Sequence, residues 1–268
     1  MAYKYDHWQS DMKSVWMTDD IAFVGGTPVS MHILKCDDGL ILLDSGYPGM
    51  DEGLEANMEA LGLHVDDIRY ILHSHGHIDH FGSTVKLVRR TGAKTLIGEE
   101  DADVVRGLSD LSWAKESGIG NPFYFEPDQL FRDGDVITLG GRAIRCVHVP
   151  GHTMGTYAFF TATTVNGKPL VAAMHGGVGL NTLSKKYLTE IGRPLSIRDT
   201  YKASLHKVAG EHVDVVLGNH PSQAAMPRKL EAVERGEYPF VDETEWARLM
   251  ETMEKKLDDL IASEAVEN

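Results

Sequence analysis

His75-Gly76-His77-Ile78-Asp79-His80 places four side chains able to bind a metal within six residues. Imidazole and carboxylate are the usual ligands of zinc, and a tight loop lets each reach in a different direction. His75 and His77, two apart, can point to the same side of an extended segment. Asp79 and His80 follow where the chain is expected to turn into a helix at Phe81, so they can face a second ion beside the first. The competing reading of such a run is a polar surface loop.

The stretches on either side read as alternating strand and helix. Upstream, Ile21–Val24, Val29–Lys35 and Leu40–Leu43 are strand-like, the last two joined by an Asp37-Asp38-Gly39 hairpin turn. Asp44 to Gly49 is a loop by composition. Glu52–Leu61 is helix-like, with Leu54, Met58 and Leu61 on one face. Ile68–Leu72 is a short apolar strand that feeds the histidine run. Downstream come a helix over Phe81–Arg90 and a strand at Thr95–Ile97. Further strands are expected at Val136–Leu139, Ala143–Val149, Tyr157–Ala162, Lys168–Ala173 and Val213–Leu217, with a helix over Arg198–Ala209. The final segment, Glu243–Ala262, carries an apolar stripe from Trp246 to Ile261 at helical spacing, as a core-packed helix does. This order implies layered α/β packing in one domain spanning residues 1–268. Asp110–Pro127 lacks periodicity and holds Trp113, Phe123, Tyr124 and Phe125; it is either an aromatic loop over a site or a loop packed on the core.

Two distant histidines follow apolar strands. His152 lies in Gly151-His152-Thr153 and His220 in Gly218-Asn219-His220-Pro221. Strand-end loops of this kind converge on one edge of a sheet, where α/β sites assemble. His73 and His148 lie on strands and read as structural, His73 as buried and hydrogen-bonded. His175 is open between a substrate contact, a packed structural residue and a ligand. Cys36 and Cys146 lack zinc-site spacing and read as two buried reduced thiols.

The net charge of -14 weighs against nucleic acid or an anionic membrane as partner, because both repel an acidic surface. No apolar stretch is long enough to span a bilayer. The opening Met1-Ala2-Tyr3-Lys4-Tyr5-Asp6-His7 has early charges and no apolar leader core, so a cytoplasmic location is expected if that start is native, and a periplasmic one otherwise. The oligomeric state is not legible.

In order along the chain, Leu43-Asp44-Ser45-Gly46, the His75–His80 run, Gly151-His152-Thr153 and Gly218-Asn219-His220-Pro221 resemble the landmarks of the metallo-β-lactamase superfamily. The resemblance covers about Val15 to Pro221. It implies an αββα sandwich, two mixed sheets flanked by helices, with metal ions at one edge. The chain is most similar to the β-lactamase subclass whose zinc sites are His-His-His and Asp-His-His. By matching positions, His75, His77 and His152 would hold one Zn2+, and Asp79, His80 and His220 a second, with Fe or Mn as other divalent candidates. Asp44 would steady the metal loop through hydrogen bonds. Many hydrolases of this family carry an aspartate bridging both ions at the end of the strand after Gly151-His152; here that strand ends in His175-Gly176-Gly177, which favours the β-lactamase-like subclass.

The activity implied is opening of a cyclic amide of a small-molecule substrate by a metal-activated hydroxide that Asp79 holds in orientation. His175, Asn181, Ser184 and Lys185 are candidate substrate contacts. The runner-up is a cytoplasmic hydrolase of an ester, lactone or thioester metabolite with the same metal site. A non-catalytic metal-binding module would be expected to lack a ligand, and none is missing.

Overall fold

The computed structural model describes residues 12–120 and 123–266, so the Met1–His7 reading lies outside the described residues, as do two positions of the Asp110–Pro127 loop. The chain runs β1 (Val15–Trp16), β2 (Ile21–Phe23), β3 (His32–Cys36), β4 (Gly39–Leu43), α1 (Asp51–Glu59), β5 (Ile68–Leu72), α2 (Ile78–Phe81), α3 (Thr84–Thr91), β6 (Lys94–Gly98) and α4 (Ala102–Val105). It continues through β7 (Gln129–Phe131), β8 (Val136–Leu139), β9 (Arg142–His148), β10 (Tyr157–Val165), β11 (Lys168–His175), α5 (Lys185–Glu190), α6 (Ile197–Ala209), β12 (Val215–Val216), α7 (Met226–Glu234) and α8 (Glu245–Val266).

β1 to β7 form one sheet in sequence order. Its first four strands are antiparallel, and the Asp37-Asp38-Gly39 turn closes the β3–β4 hairpin with Cys36 opposite Gly39. β4 to β7 then run parallel, joined by crossovers that carry α1, α3 and α4. The second sheet has the order β12-β11-β10-β9-β8, antiparallel except for the β11–β12 pair. Both sheets are therefore mixed.

Strand alternation sorts the core into three layers. On β3, Ile33 joins Leu54 and Met58 of α1 and Leu87 of α3 outside the first sheet, while Leu34 points inward. Leu34, Ile41, Leu43, Leu72 and Leu96 of the first sheet meet Ile144, Phe159, Ala172 and Met174 of the second between the sheets. The other face of the second sheet is covered by α6 and α8. Trp246, Leu249, Met250, Met253 and Leu257 form the buried stripe of α8, packed on Tyr201, Leu205 and Val208 of α6. Full burial of such a side chain is worth about 1.5–3 kcal/mol. Trp246 Nε1 also donates to Val208 O at 2.8 Å, so its polar atom is not stranded. The layering is helix, sheet, sheet, helix.

Three expectations change. The helix expected over Phe81–Arg90 is two helices, because Gly82 N bonds Gly46 O and a Cβ at Gly82 would lie 2.3 Å from Pro48 Cδ. The chain there must follow the Ser45–Pro48 loop rather than its own helix axis. Val213–Leu217 pairs as strand only at Val215–Val216. Of the cysteines, Cys146 is buried and Cys36 is half-buried; both are free.

Candidate metal centre

All six expected metal-binding residues leave strand ends at one edge of the sandwich. β5 delivers His75 and His77 in the loop that follows it, and Asp79 and His80 in α2. His152 follows β9, and His220 follows β12. The structure brings them into two groups, His75/His77/His152 and Asp79/His80/His220, each with its donor atoms within 4.8 Å of one another. Ring centroids in the first group are 4.6–4.8 Å apart. His75 and His80 bring the groups together, with rings 4.2 Å apart.

Four of the five rings are turned by their outward nitrogen. His152 Nδ1–H donates to Gly179 O at 2.8 Å, and His220 Nδ1–H to Pro28 O at 2.6 Å. His80 Nδ1 lies 2.7 Å from Asp44 Oδ2. His75 Nδ1 lies 3.0 Å from Ser74 Oγ, which itself donates to Asp44 Oδ2 at 2.7 Å. Asp44 Oδ1 accepts from Ser74 N as well. One carboxylate therefore orients a histidine in each group, and the inner nitrogens are left facing the centre. Nε2 of both His75 and His80 is buried without a hydrogen bond. That orphaning, with three imidazoles in one group and two imidazoles plus a carboxylate in the other, fits a pair of zinc-type divalent ions.

The electrostatics agree with that fit. Burial and repulsion among the rings hold His75 and His77 far below the usual imidazole value, and burial brings His152 to about 4. These rings keep a free lone pair at neutral pH. Burial works to raise Asp79, but His80 and His220 carry its carboxyl well below the usual range. Burial opposes the charged form of His80, yet Asp79 and Asp44 on either side raise it to about 10. A cation at His80 Nε2 would meet the same demand for positive charge.

Sequence reasoning missed Asp101. Its buried carboxylate accepts from Gly76 N at 2.7 Å, Thr153 Oγ1 at 2.6 Å and Gly155 N at 2.9 Å, clasping the loop of His75 and His77 to that of His152. Burial pushes this carboxyl up, against those three donors. Its signal was an acid just beyond a strand end, in Glu99-Glu100-Asp101. Close packing also matters at Gly177, where a Cβ would lie 2.5 Å from His152 Cδ2. The carbonyls of Pro28 and Gly179 have no signal in side-chain sequence at all.

Beside His77 and His152 opens a cleft of about 230 Å³, with Thr182, Tyr187 and Leu188 in its wall. Trp113 packs on His77 at 5.8 Å and on Tyr187 at 4.8 Å, with a backbone φ of 60°. A bulky residue in that left-handed region costs of order 1–3 kcal/mol and is held by its surroundings. Both readings of the aromatic loop are thus realised, since Phe125 packs on the core against His73 and Phe81. His73 is itself hydrogen-bonded to Leu96 O and Thr84 Oγ1, and His148 to Met154 O.

The expected substrate contacts are placed differently. Asn181, Ser184 and Lys185 belong to the segment beside the cleft but do not line it. Ser184 Oγ caps α5 by accepting from Tyr187 N, and Lys185 N bonds Glu264. His175 joins neither donor group. Strand parity turns it away from Met174 and the inter-sheet core, and its ring faces Trp246 of α8 at 6.5 Å. β11 brings no carboxylate to the centre.

A four-layer sandwich with two abutting three-donor groups at its edge defines a metallo-hydrolase class of fold. The metallo-beta-lactamase superfamily profile matches residues 24–162. The chain belongs to that superfamily and carries the fold and candidate metal groups of its hydrolases. Among solved structures it is similar to BJP-1, a subclass B3 metallo-beta-lactamase of Bradyrhizobium japonicum, with TM-score 0.84 and 24% identity over 97% of each chain. Among curated proteins it is 34% identical over 113 residues to a beta-lactamase hydrolase-like protein of Xylella fastidiosa, covering 40% of this chain and 25% of that one. It is 31% identical over 119 residues to hydroxyacylglutathione hydrolase GloC of Haemophilus influenzae, covering 44% of this chain and 53% of that one. The chain spans from a quarter to about half of the length of these curated relatives. Among the described residues, no helix is long and apolar enough to cross a membrane.

Proposed function

We propose that this protein is a two-zinc hydrolase that opens a cyclic amide of the β-lactam type. The observation that carries the reading is the abutment of the two donor groups through His75 and His80, with no carboxylate from β11 between them. His75, His77 and His152 would hold one ion, and Asp79, His80 and His220 the other. When bound, such ions supply a Lewis acid and draw the pKa of water toward neutrality.

The chain's own residues do the rest. Asp79 Oδ2 lies 3.3 Å from His80 Nε2 and 3.5 Å from His220 Nε2, so it is the oxygen that would join those nitrogens in holding the ion, and Oδ1 would accept a hydrogen bond from the attacking water. That contact aligns the nucleophile and can hold its proton at Oδ1. Trp113 covers His77 and keeps bulk water from that side of the centre.

A second reading is hydrolysis of a thioester, supported by the match to hydroxyacylglutathione hydrolase over 44% of the chain. The zinc-loaded protein should be assayed on a penicillin, a carbapenem, an acyl-homoserine lactone and a hydroxyacylglutathione. Turnover of the lactams above the others is expected; thioester turnover far above lactam turnover would establish the second reading instead.

A further inference from the structure

We propose that the cavity walled by α8 and by the loops after β11 and β12 is an effector site for a small organic anion with an apolar body, and that filling it tightens both metal groups. This goes beyond the hydrolase reading and does not depend on which bond is cleaved. The cavity holds about 400 Å³, more than the cleft beside His77 and His152. It falls in the size range of small-molecule sites, which pair apolar walls with a few convergent polar groups. Along α8, Leu249, Thr252, Met253 and Lys256 come round to one face at helical spacing. Leu249 and Met253 are nearly buried and supply an apolar floor. Thr252 and Lys256 share the cavity with Ser222 and Gln223 of the loop after β12, and none of these four side chains has a hydrogen bond or ion pair among the described residues. The acid of the lining, Glu245, is engaged, accepting from Lys229 Nζ at 2.6 Å. Arg248 donates to Asp242 Oδ2 and to Thr244 Oγ1, each at 2.9 Å. Lys256 is thus the cation left to a ligand, with two hydroxyls and an amide as further donors.

The walls of this cavity are also supports of the metal groups. Gly179 lines it and presents its carbonyl oxygen to His152 Nδ1 at 2.8 Å. Val178, beside it, is pinned through its own carbonyl by Tyr201 Oη at 2.8 Å. Ser222 and Gln223 follow His220-Pro221, and Gln223 N on His220 O at 3.0 Å and Met226 N on Pro221 O at 2.8 Å close that turn. The turn ends at Ala225, a cavity-lining residue with φ 49° and ψ 33°. A side-chain-bearing residue in the left-handed region is held there by its surroundings, and such residues cluster at ligand clamps. A ligand that spans both loops and α8 therefore restrains the segments that hold His152 of one group and His220 of the other, without touching either ring. Coupling of this kind is reciprocal, so zinc and the anion each favour binding of the other.

The test measures binding and metal release rather than turnover. Zinc-loaded protein is titrated calorimetrically with hexanesulfonate, whose head group is a poor zinc ligand, and with hexanol as its neutral counterpart. The sulfonate should bind about tenfold tighter than the alcohol, the increment of one charge-assisted contact. Lys256→Ala should remove that advantage, while Lys255→Ala, which deletes the same charge one position away but outside the cavity, should leave it intact. Thr252→Trp, at an exposed position, should fill the cavity and abolish binding of both compounds. Saturating hexanesulfonate should slow zinc release to a chelator about fivefold in the unmodified protein and leave it unchanged in Thr252→Trp. Absence of sulfonate binding, or binding that survives Thr252→Trp as direct attachment to the metal groups would, overturns the proposal. Binding in the cavity with zinc release unaltered overturns it as an effector site.

Discussion

Asp101 Oδ2 accepts a hydrogen bond from Gly76 N at 2.7 Å, although the two residues are 25 positions apart and no metal-binding atom is involved. Gly76 sits between His75 and His77, and the same carboxylate reaches Thr153 and Gly155 beside His152. One buried acid that touches none of the rings thus ties together the two loops that carry the first donor group.

Asp101→Ala should therefore loosen the first group and spare the second. Removal of a group that orients ligands typically costs 10–100-fold in metal affinity. The variant should give biphasic zinc loss to a chelator, with only the weaker phase shifted, and Asp101→Asn should recover part of the loss. Equal weakening of both phases would show that Asp101 acts on the fold at large.

Asp44 makes the opposite prediction, because its carboxylate serves His80 directly and His75 through Ser74. Asp44→Ala should weaken both ions by about 10–100-fold. Its backbone φ of 57° adds a second effect. Asn adopts that conformation readily and Ala does not, so Asp44→Asn should keep thermal stability near that of the unmodified protein while Asp44→Ala lowers it. Zinc competition and thermal melts of the two variants, read together, separate orientation from strain.

His75→Ala should remove about one equivalent of bound metal and nearly all hydrolysis. Metal analysis of the dialysed protein, with circular dichroism to confirm the fold, measures this. Two equivalents retained with activity intact would refute the two-group assignment.

His32 offers a pH test on a residue outside both donor groups, although Asp44 acts on it electrostatically. It is buried between the sheets, neither ring nitrogen has a partner, and burial holds it at about 4 against an ordinary 6.5. The folded state then binds fewer protons than the unfolded chain between these values, so stability rises with pH across that window. The contribution is complete above about 6.5 and is lost as pH falls toward 4, about 2 kcal/mol of it between pH 7 and pH 5. Denaturant unfolding at the two pH values should show a larger total loss, because buried His73 and His175 act in the same direction, and His32→Leu should reduce that total by about the share of His32.

The six donor residues were legible before the structure because their chemistry is carried by side-chain type and spacing. His75 to His80 is a local run, and His152 and His220 each follow an apolar strand that announces its own end. The hairpin at Asp37-Asp38-Gly39 and the α8 stripe were readable for the same reason, since turns and periodicity are short-range properties. The order of the landmarks was enough to anticipate two mixed sheets between helices.

Tertiary structure decided what depends on distant segments meeting. Asp101 acts on Gly76 and Thr153 only because the ends of β5, β6 and β9 lie side by side, and backbone carbonyls such as Pro28 and Gly179 become ring acceptors only once the chain is folded. His175 was placed by strand parity, which puts Met174 between the sheets and turns His175 toward Trp246. Local propensity continued a helix through Gly82, but Gly82 N bonds Gly46 O instead of the preceding helical turn, and the approach of Pro48 leaves no room for a Cβ there. Short-range chemistry named the donors; long-range packing determined which way they point and what stands beside them.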